Sequence, residues 1–399
     1  MKVIWYDRIR DIPRDEWDRL AVPLKTPLLE WQWLRVLEDS ESIDPSEGWH
    51  PQHVTLWDGD RLAAAAPLYV KTHSMGEFVF DFAWADVAHQ IGAPYYPKLV
   101  GMSPATPCNA FRLLIDPDRI DGESLISRLL DEIERYADEQ QLGGVAFNFV
   151  DLEWKPVFER HGYTAWRHQS YEWVNEEFAS FDDYLSRFNK NQRRNIRRER
   201  RSMERQGVQI VVKTGDELTP ALFDRMCRYY ELHNAQFGPW AAKFLNRRFF
   251  RQLGDAFRHR VAFVCAYHPE FSLDSEEPVA MAFLILKGDE MLGRYWGAAA
   301  HIPELHFNCC YYAPIEWAIE NGYRRFDPGM GSSHKVRRGF RAIPSYSMHR
   351  FQDERMRVIM ETNIERINSM EELHIGQLNE ARPIKRTDEA RNGEEGAAS

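Results

Sequence analysis

Apolar residues fall in two periods along this chain, and the alternation of those periods outlines its elements. In the first 175 residues the pattern predicts a strand at 3–6 and helices at 14–20 and 28–38. The second helix carries Leu29, Trp31, Trp33, Leu34 and Leu37, an apolar face wide enough for core packing. Residues 39–50 are polar and loop-like. Runs at 53–57 and 62–70 flank Asp58-Gly59-Asp60 and read as a hairpin. Residues 78–100 are aromatic and irregular, and Pro94, Pro97, Pro104 and Pro107 interrupt long helices in this region. A strand at 112–115, an amphipathic helix at 123–140, a buried strand at 145–150, a short helix at 154–161 stopped by Gly162 and a closing strand at 170–174 follow.

The second half opens on a helix from Ser180 to about Gln206. Ser180 and Asp183 fit a capping box, and Gly207 is the stop. At helical spacing Leu185, Phe188, Gln192, Ile196 and Met203 share one face, while Lys190, Arg193, Arg194, Arg197, Arg201 and Arg205 share the other. A strand at 208–213, helices at 220–235 and 243–257, and a meander at 261–267, 279–287 and 290–296 come next, with polar residues 268–277 inside the meander. Residues 305–340 read as a helix, a short strand, a glycine-rich turn and a basic segment. A strand at 345–351, a polar helix at 352–373 and an acidic tail, expected to be disordered from about Asn379, end the chain. The halves repeat one order of elements, and residues 132–150 and 315–330 both read helix, glycine, strand. The expectation is an α+β fold with one unit duplicated: residues 1–175 and 176–351, the latter with a basic helix at 181–206, followed by 352–399 as an appended helix and tail.

The bulk properties narrow the function. With 399 residues, 44% of them hydrophobic and a formal charge of −10, the chain is a globular protein unsuited to coating nucleic acid. The N-terminus has no apolar signal core, and the longest apolar runs are too short to span a bilayer, so a soluble cytoplasmic protein is expected. Five cysteines, an odd and sparse set, are expected to be reduced thiols, and Cys309-Cys310 is not a CxxC motif. No metal is expected, since His301 and His306 lack the HExxH spacing. A serine elbow GxSxG, a P-loop and the acetyl-CoA signature Q/RxxGxG/A of the second half are also missing.

Candidate chemistry concentrates in 305–340. The turn Gly329-Met330-Gly331-Ser332-Ser333-His334-Lys335 can present backbone N–H groups to an anion, with Lys335, Arg337 and Arg338 adding charge. Acyl transfer to an amine passes through an oxyanion, which such a turn suits. The amine must lose a proton. His334 is the first candidate base, its pKa lowered by the adjacent lysine, with Asp327 and Glu316 as alternatives. One of Tyr311 and Tyr312 faces the core and the other a cleft. Arg294, in an apolar strand, needs an anionic partner, either a substrate phosphate or Asp327. His306 and His349 are expected to make structural hydrogen bonds. Against each reading stands an ordinary one: a tight turn with a solvated basic segment, an exposed loop histidine, packing tyrosines. The arginine face of the 181–206 helix, offset only by Glu199 and Glu204, is either a solvated surface or a contact for phosphates of tRNA, a nucleotide or a lipid-linked pyrophosphate.

Three strings carry a resemblance: YYPKLVGMSPATP at 95–107, QSYEWVNEEFASFDDYLSRFNKNQRRNIRRERRSMERQG at 169–207, and LHFNCCYYAPIEWAIENGYRRFDPGMGSSHKVRRGF at 305–340. Together they resemble the FemAB-like predicted N-acyltransferases. The resemblance implies tandem GNAT-like folds, each a mixed, mostly antiparallel sheet flanked by helices. It also implies an N-acyltransferase of the peptidoglycan-biosynthesis type that draws on aminoacyl-tRNA. The expected activity is transfer from aminoacyl-tRNA or an acyl thioester such as acyl-CoA, as co-substrate, onto an amine of a cell-wall precursor or a small metabolite. His334 or Asp327 takes the proton and Lys335 with the turn amides holds the oxyanion. Arg294, Tyr311, Tyr312, Gly329, Gly331, Ser333 and Arg338 are expected to contact substrate, and Arg193, Arg194 and Arg197 to steer an anionic donor or acceptor. Related chains carry acids where this one has Asn308 and Ser333. That departure motivates an alternative, a non-catalytic module for an anionic or cell-wall ligand; a third reading is an acyl-CoA-dependent acetyltransferase of small amines.

Overall fold

The structure is a computed structural model and describes residues 1–238, 243–270 and 277–385. Its first half runs β1 (Lys2–Tyr6), α1 (Arg14–Ala21), α2 (Trp31–Asp39), β2 (Trp49–Pro51), β3 (His53–Asp58), β4 (Arg61–Ala66), β5 (Leu68–Lys71), α3 (Phe82–Ile91), β6 (Lys98–Gly101), β7 (Leu114–Ile115), α4 (Gly122–Glu139), β8 (Gly144–Phe147), α5 (Lys155–Arg160) and β9 (Thr164–Val174). The second runs α6 (Phe181–Ser186), α7 (Lys190–Arg205), β10 (Gln209–Thr214), α8 (Pro220–Ala235), α9 (Arg247–Ala256), β11 (Val261–Tyr267), β12 (Ala280–Lys287), β13 (Glu290–Ala298), α10 (Leu305–Phe307), α11 (Ala313–Glu320), β14 (Arg325–Asp327), β15 (Arg341–Phe351) and α12 (Glu354–Glu380). The fold is mixed α/β with a mostly antiparallel sheet.

Strand order makes the internal repeat explicit. The large sheet runs β10-β11-β12-β13-β14-β9-β15-β8-β6-β5-β2, and a small sheet runs β1-β3-β4-β7. Each half has a meander leading into a parallel pair, β6 beside β8 and β13 beside β14. Each is then closed by the other half's last strand: β9 pairs with β14, β15 with β8, and β9 with β15 over nine residues. One apolar core runs through both halves, from Trp33 and Phe147 to Phe249 and Phe283. Among the described residues no helix is long and apolar enough to cross a membrane.

Four expectations need correction. The run 62–70 is two strands in different sheets, because Pro67 offers no N–H to continue the ladder. The stretch 78–100 contains α3 and β6. The helix expected at 180–206 breaks into α6 and α7: Asn189 caps α7 by accepting from the Gln192 amide, and residues 187–189 pair with the C-terminal segment through Asn189 N–H to Pro383 O and Lys385 N–H to Arg187 O. Ser180 does cap α6, accepting from the Asp183 amide, while Asp183 reaches back to Ala179. The last helix extends to Glu380, and Asn379, expected to be disordered, exchanges two hydrogen bonds with the Ala342 backbone at 2.8 and 2.9 Å. Residues 380–385 of the expected tail are also placed, pairing with 187–189, while residues 386–399 and residues 271–276 of the polar meander loop lie outside the described residues.

Candidate functional site

β13 and β14 pair for only three residues, Glu290–Leu292 against Arg325–Asp327, and beyond that point they part. The ladder between β12 and β13 slips there: Phe283 faces Tyr295 and Leu284 faces Gly293, so Arg294 is the extra residue of a bulge. A bulge re-aims its side chain. This one brings the Arg294 guanidinium onto the Asp327 carboxylate at 2.9 and 3.2 Å, with the arginine side chain only 2% exposed. The same carboxylate accepts the Gly329 amide at 2.7 Å. Gly329 has φ +76° and Gly331 φ +126°, conformations costly for any other residue, so the strand end reverses sharply into the turn. Lys335 is buried and braces that turn, donating to the carbonyls of Gly329 and Met330 at 2.7 Å each. Burial pushes its ammonium down to about 8, although Asp327 pulls the other way. Among the described residues the amides of Met330, Gly331 and Ser332 donate to no protein acceptor.

The helix opposite the turn is built in three parts, α10, a π-helical turn at Asn308–Tyr312, and α11. Pro314 explains the wide turn, since it has no N–H to continue the regular ladder. The widening sends the two tyrosines to different places. Tyr311 O–H meets His334 Nε2 at 3.1 Å, and the other ring nitrogen of His334 meets Ser332 Oγ at 2.7 Å. Tyr312 is fully buried and donates to Glu199 of α7. Glu199 also holds Arg338 at 3.2 Å, whose guanidinium stacks 3.3 Å over Phe307.

These elements wall a cavity of about 1140 Å³ that lies across the seam, with Trp166, His168 and Phe80 from the first half facing Arg294, Trp296, His306, Tyr311, Gly329–Ser332, His334 and Lys335 of the second. Four histidines line it: His168, His233, His306 and His334. Burial lowers the pKa of all four. His334 is pushed down to about 4, with Arg338 and Lys335 adding to the effect of burial, and His306 to about 3. His168 falls to about 4, and His233 is lowered as well. Burial raises the Cys310 thiol, which keeps it protonated.

The structure therefore brings together His334, Lys335, Tyr311, Gly329, Gly331 and Arg294 around one cavity. Asp327 sits behind them, held by Arg294. Tyr312 and Arg338 do not line the cavity; both are tied to Glu199. Ser333 is exposed, and its neighbour Ser332 is the residue that meets His334. Arg193, Arg194 and Arg197 lie on the outer face of α7, away from the cavity wall, with Arg197 paired to Asp182 at 3.0 Å. Asn308 is buried and donates to the carbonyls of Glu199 and Glu304, which a carboxylate cannot do. His306, expected to make structural hydrogen bonds, instead packs in an aromatic group with Trp296, Tyr311 and His334. Its signal in the sequence was its place five residues before Tyr311. Trp166 and His168 gave no such signal, because only the exchange of closing strands brings β9 to the cavity.

A family model described as FemAB-like, peptidoglycan biosynthesis/recognition, matches residues 8–386. The chain belongs to the FemAB-like family. No curated protein is significantly similar to it. Among solved structures, that of FemX matches with TM-score 0.52 at 11% identity, over 90% of this chain and all of that one. The C-terminal domain of a putative lysylphosphatidylglycerol synthetase from Agrobacterium fabrum matches with TM-score 0.52 at 10% identity, over 88% of this chain and 96% of that one. A tandem GNAT protein from the clavulanic acid pathway matches at TM-score 0.42 and 10% identity, over 88% and 98%. The family description points to peptidoglycan biosynthesis or recognition, and at such low identity the likenesses to solved structures speak for the fold alone.

Proposed function

We propose that this FemAB-like protein is an N-acyltransferase that passes an activated acyl or aminoacyl group, carried as an acyl thioester or on tRNA, to an amine. A peptidoglycan precursor is the acceptor class that the family description favours. One juxtaposition carries the reading: His334 lines the same cavity as Met330, Gly331 and Ser332, whose amides donate to no acceptor among the described residues.

The donor carbonyl binds at those amides, which stabilise the oxyanion as the amine adds. Lys335 spends two N–H groups on the turn carbonyls, so its first task is to hold the amides in place, and its charge lies beside the developing anion. With Tyr311 O–H donating to Nε2 of His334, Nδ1–H donates to Ser332, and the amine takes over the place of Tyr311 at Nε2. An imidazole with a pKa near 4 is a poor base toward a free ammonium. It suffices for the nitrogen of the tetrahedral adduct, which becomes strongly acidic once bonded to carbon. Collapse of that adduct breaks the bond to the thioester sulfur or the tRNA oxygen, and the His334 imidazolium returns the proton it took to that departing atom, giving the free thiol or hydroxyl. Asp327, occupied by Arg294 and the Gly329 amide, acts as a positioning residue.

The test is transfer from radiolabelled aminoacyl-tRNA and from acyl-CoA to amine acceptors by the purified full chain. His334→Ala lowers kcat about 100-fold or more, and Lys335→Ala lowers it by a similar factor. Unchanged transfer in both variants overturns the mechanism. Ligand binding that Lys335→Ala abolishes, without turnover on any donor, establishes the binding-module alternative. The motive for that alternative is weak, because neither Asn308 nor Ser333 lines the cavity.

A further inference from the structure

The cavity is far larger than an acetyl or aminoacyl group needs. Its volume of about 1140 Å³ exceeds the roughly 300–1,000 Å³ of pockets that hold drug-sized ligands. Its walls are mainly apolar and aromatic, with Trp166, Phe283, Tyr295 and Trp296 among them. The wall continues outward: Phe80 and Phe237 line the same cavity and are 68% and 51% exposed, an unusual position for two phenylalanines.

The cations on this wall are already engaged by other groups. Arg294 is paired with Asp327, and Lys335 is bonded to two carbonyls. Arg167 lies 2.7 Å from Glu372 and also meets Asn368 and Tyr346. Among the described lining residues Lys335 is the one cation without a carboxylate partner, and it sits at the carbonyl end of the cavity with two N–H groups already bonded. The several phosphates of a nucleotide or of tRNA meet at most that one ammonium inside, whereas an uncharged chain meets a mainly apolar and aromatic wall.

We infer that the cavity takes a hydrophobic acyl group, its carbonyl at the Met330–Ser332 amides and its chain along the aromatic wall toward Phe80 and Phe237. The inference rests on the acyltransferase reading for what is done with that group. The acyl part is the one placed here because Met330, Gly331 and Ser332, whose amides would receive its carbonyl, are themselves lining residues of the cavity. A donor's phosphates stay outside.

Calorimetric titration of the full chain with 1-butanol, 1-hexanol and 1-octanol tests the cavity without needing turnover. Burial of each added methylene is worth about fourfold in affinity, so octanol binds at least 100-fold more tightly than butanol, with a negative heat-capacity change and little dependence on salt. The exposed-rim variant Phe80→Ser/Phe237→Ser weakens octanol about tenfold and leaves butanol unchanged. A flat chain-length series overturns the inference, as does displacement of octanol by coenzyme A with a salt-dependent affinity. Transfer is then compared for octanoyl-CoA and acetyl-CoA. Preference for octanoyl supports the inference; transfer of acetyl alone overturns it and leaves the acyltransferase reading standing. Tight octanol binding with no transfer from either donor keeps the hydrophobic cavity and defeats the acyltransferase reading.

Discussion

The two halves set the same parallel strand pair at the same point of the unit, β6 beside β8 and β13 beside β14, and then treat the space beyond it in opposite ways. In the first half it is sealed. The Asn148 amide bonds to Gly101 O at 2.9 Å, and Phe111 stacks on Phe147 at 5.5 Å. A Cβ at Gly101 would lie 2.4 Å from the Phe111 ring. Lys98, Glu77 and Asp81 form a fully interior ion cluster nearby. In the second half a bulge and two left-handed glycines turn the chains apart, and a single ion pair, Arg294–Asp327, holds them open onto the cavity. A duplicated unit thus keeps one copy as scaffold and spends the other on a site. Both copies keep the parallel pair and its closing strand, so what distinguishes them at this point is the filling of the gap between two strands.

The sharpest way to break this contrast is to remove the charge in each half. Lys98→Met leaves two buried carboxylates unpaired and costs about 4 kcal/mol in urea unfolding, with transfer per folded molecule unaltered. Loss of transfer out of proportion to unfolding would show that the first half is more than scaffold. Asp327→Asn costs about 3 kcal/mol for the same reason and also frees the Gly329 turn, so here transfer falls even where the protein is folded. If the transfer rate survives Asp327→Asn, the ion pair does not set the site.

The uneven legibility of the sequence follows the same division. Periodicity located the helices and the meander closely, with α8 and β11 expected at the residues where they occur, because local burial decides those elements. The turn residues Gly329, Gly331, His334 and Lys335 were visible because chemistry-bearing side chains crowd a short stretch. Arg294 was seen to need a partner, and Asp327 supplies it. What stayed hidden depends on non-local pairing. The break at 187–189 is made by the C-terminal segment, and the first-half wall of the cavity is made by the exchange of β9 and β15. The Glu199 network that claims Tyr312 and Arg338 was read as a surface charge on a basic helix, since nothing local marks one glutamate of that helix as buried.

Acid stability sharpens the comparison further. His306 stays neutral in the folded chain down to about pH 3, whereas the unfolded chain protonates it near 6.5. Between those values the unfolded state binds the additional proton, so stability drops as pH falls from 6.5 toward 3. At pH 4 this one histidine removes on the order of 3 kcal/mol relative to pH 7. His306→Phe keeps an aromatic ring against Trp296 and Tyr311 and removes the titration, so its thermal midpoint declines less over this range than that of the parent chain. An identical decline in both proteins would mean that the cavity histidines do not govern the acid limb.

The smallest effect on stability is expected at α7, and it is informative for that reason. Arg193, Arg194 and Arg197 lie on its outer face and contribute little to the fold, so changing all three to Gln alters unfolding by less than about 0.5 kcal/mol. These arginines are the part of the second half that suits a polyanion, while the cavity wall offers only Lys335, two of whose N–H groups are already bonded to carbonyls. If tRNA carries the donor, the triple variant weakens its binding mainly at low salt and reduces the slope of log affinity against log salt by about 2 to 3, with kcat unchanged. If an acyl thioester is the donor, the variant matches the parent at every salt concentration. The salt slope therefore separates the two donors by a surface that never touches the reacting atoms: the first outcome makes α7 a second, electrostatic part of the site, and the second leaves it a solvated helix whose one buried carboxylate, Glu199, ties it to Tyr312 and Arg338.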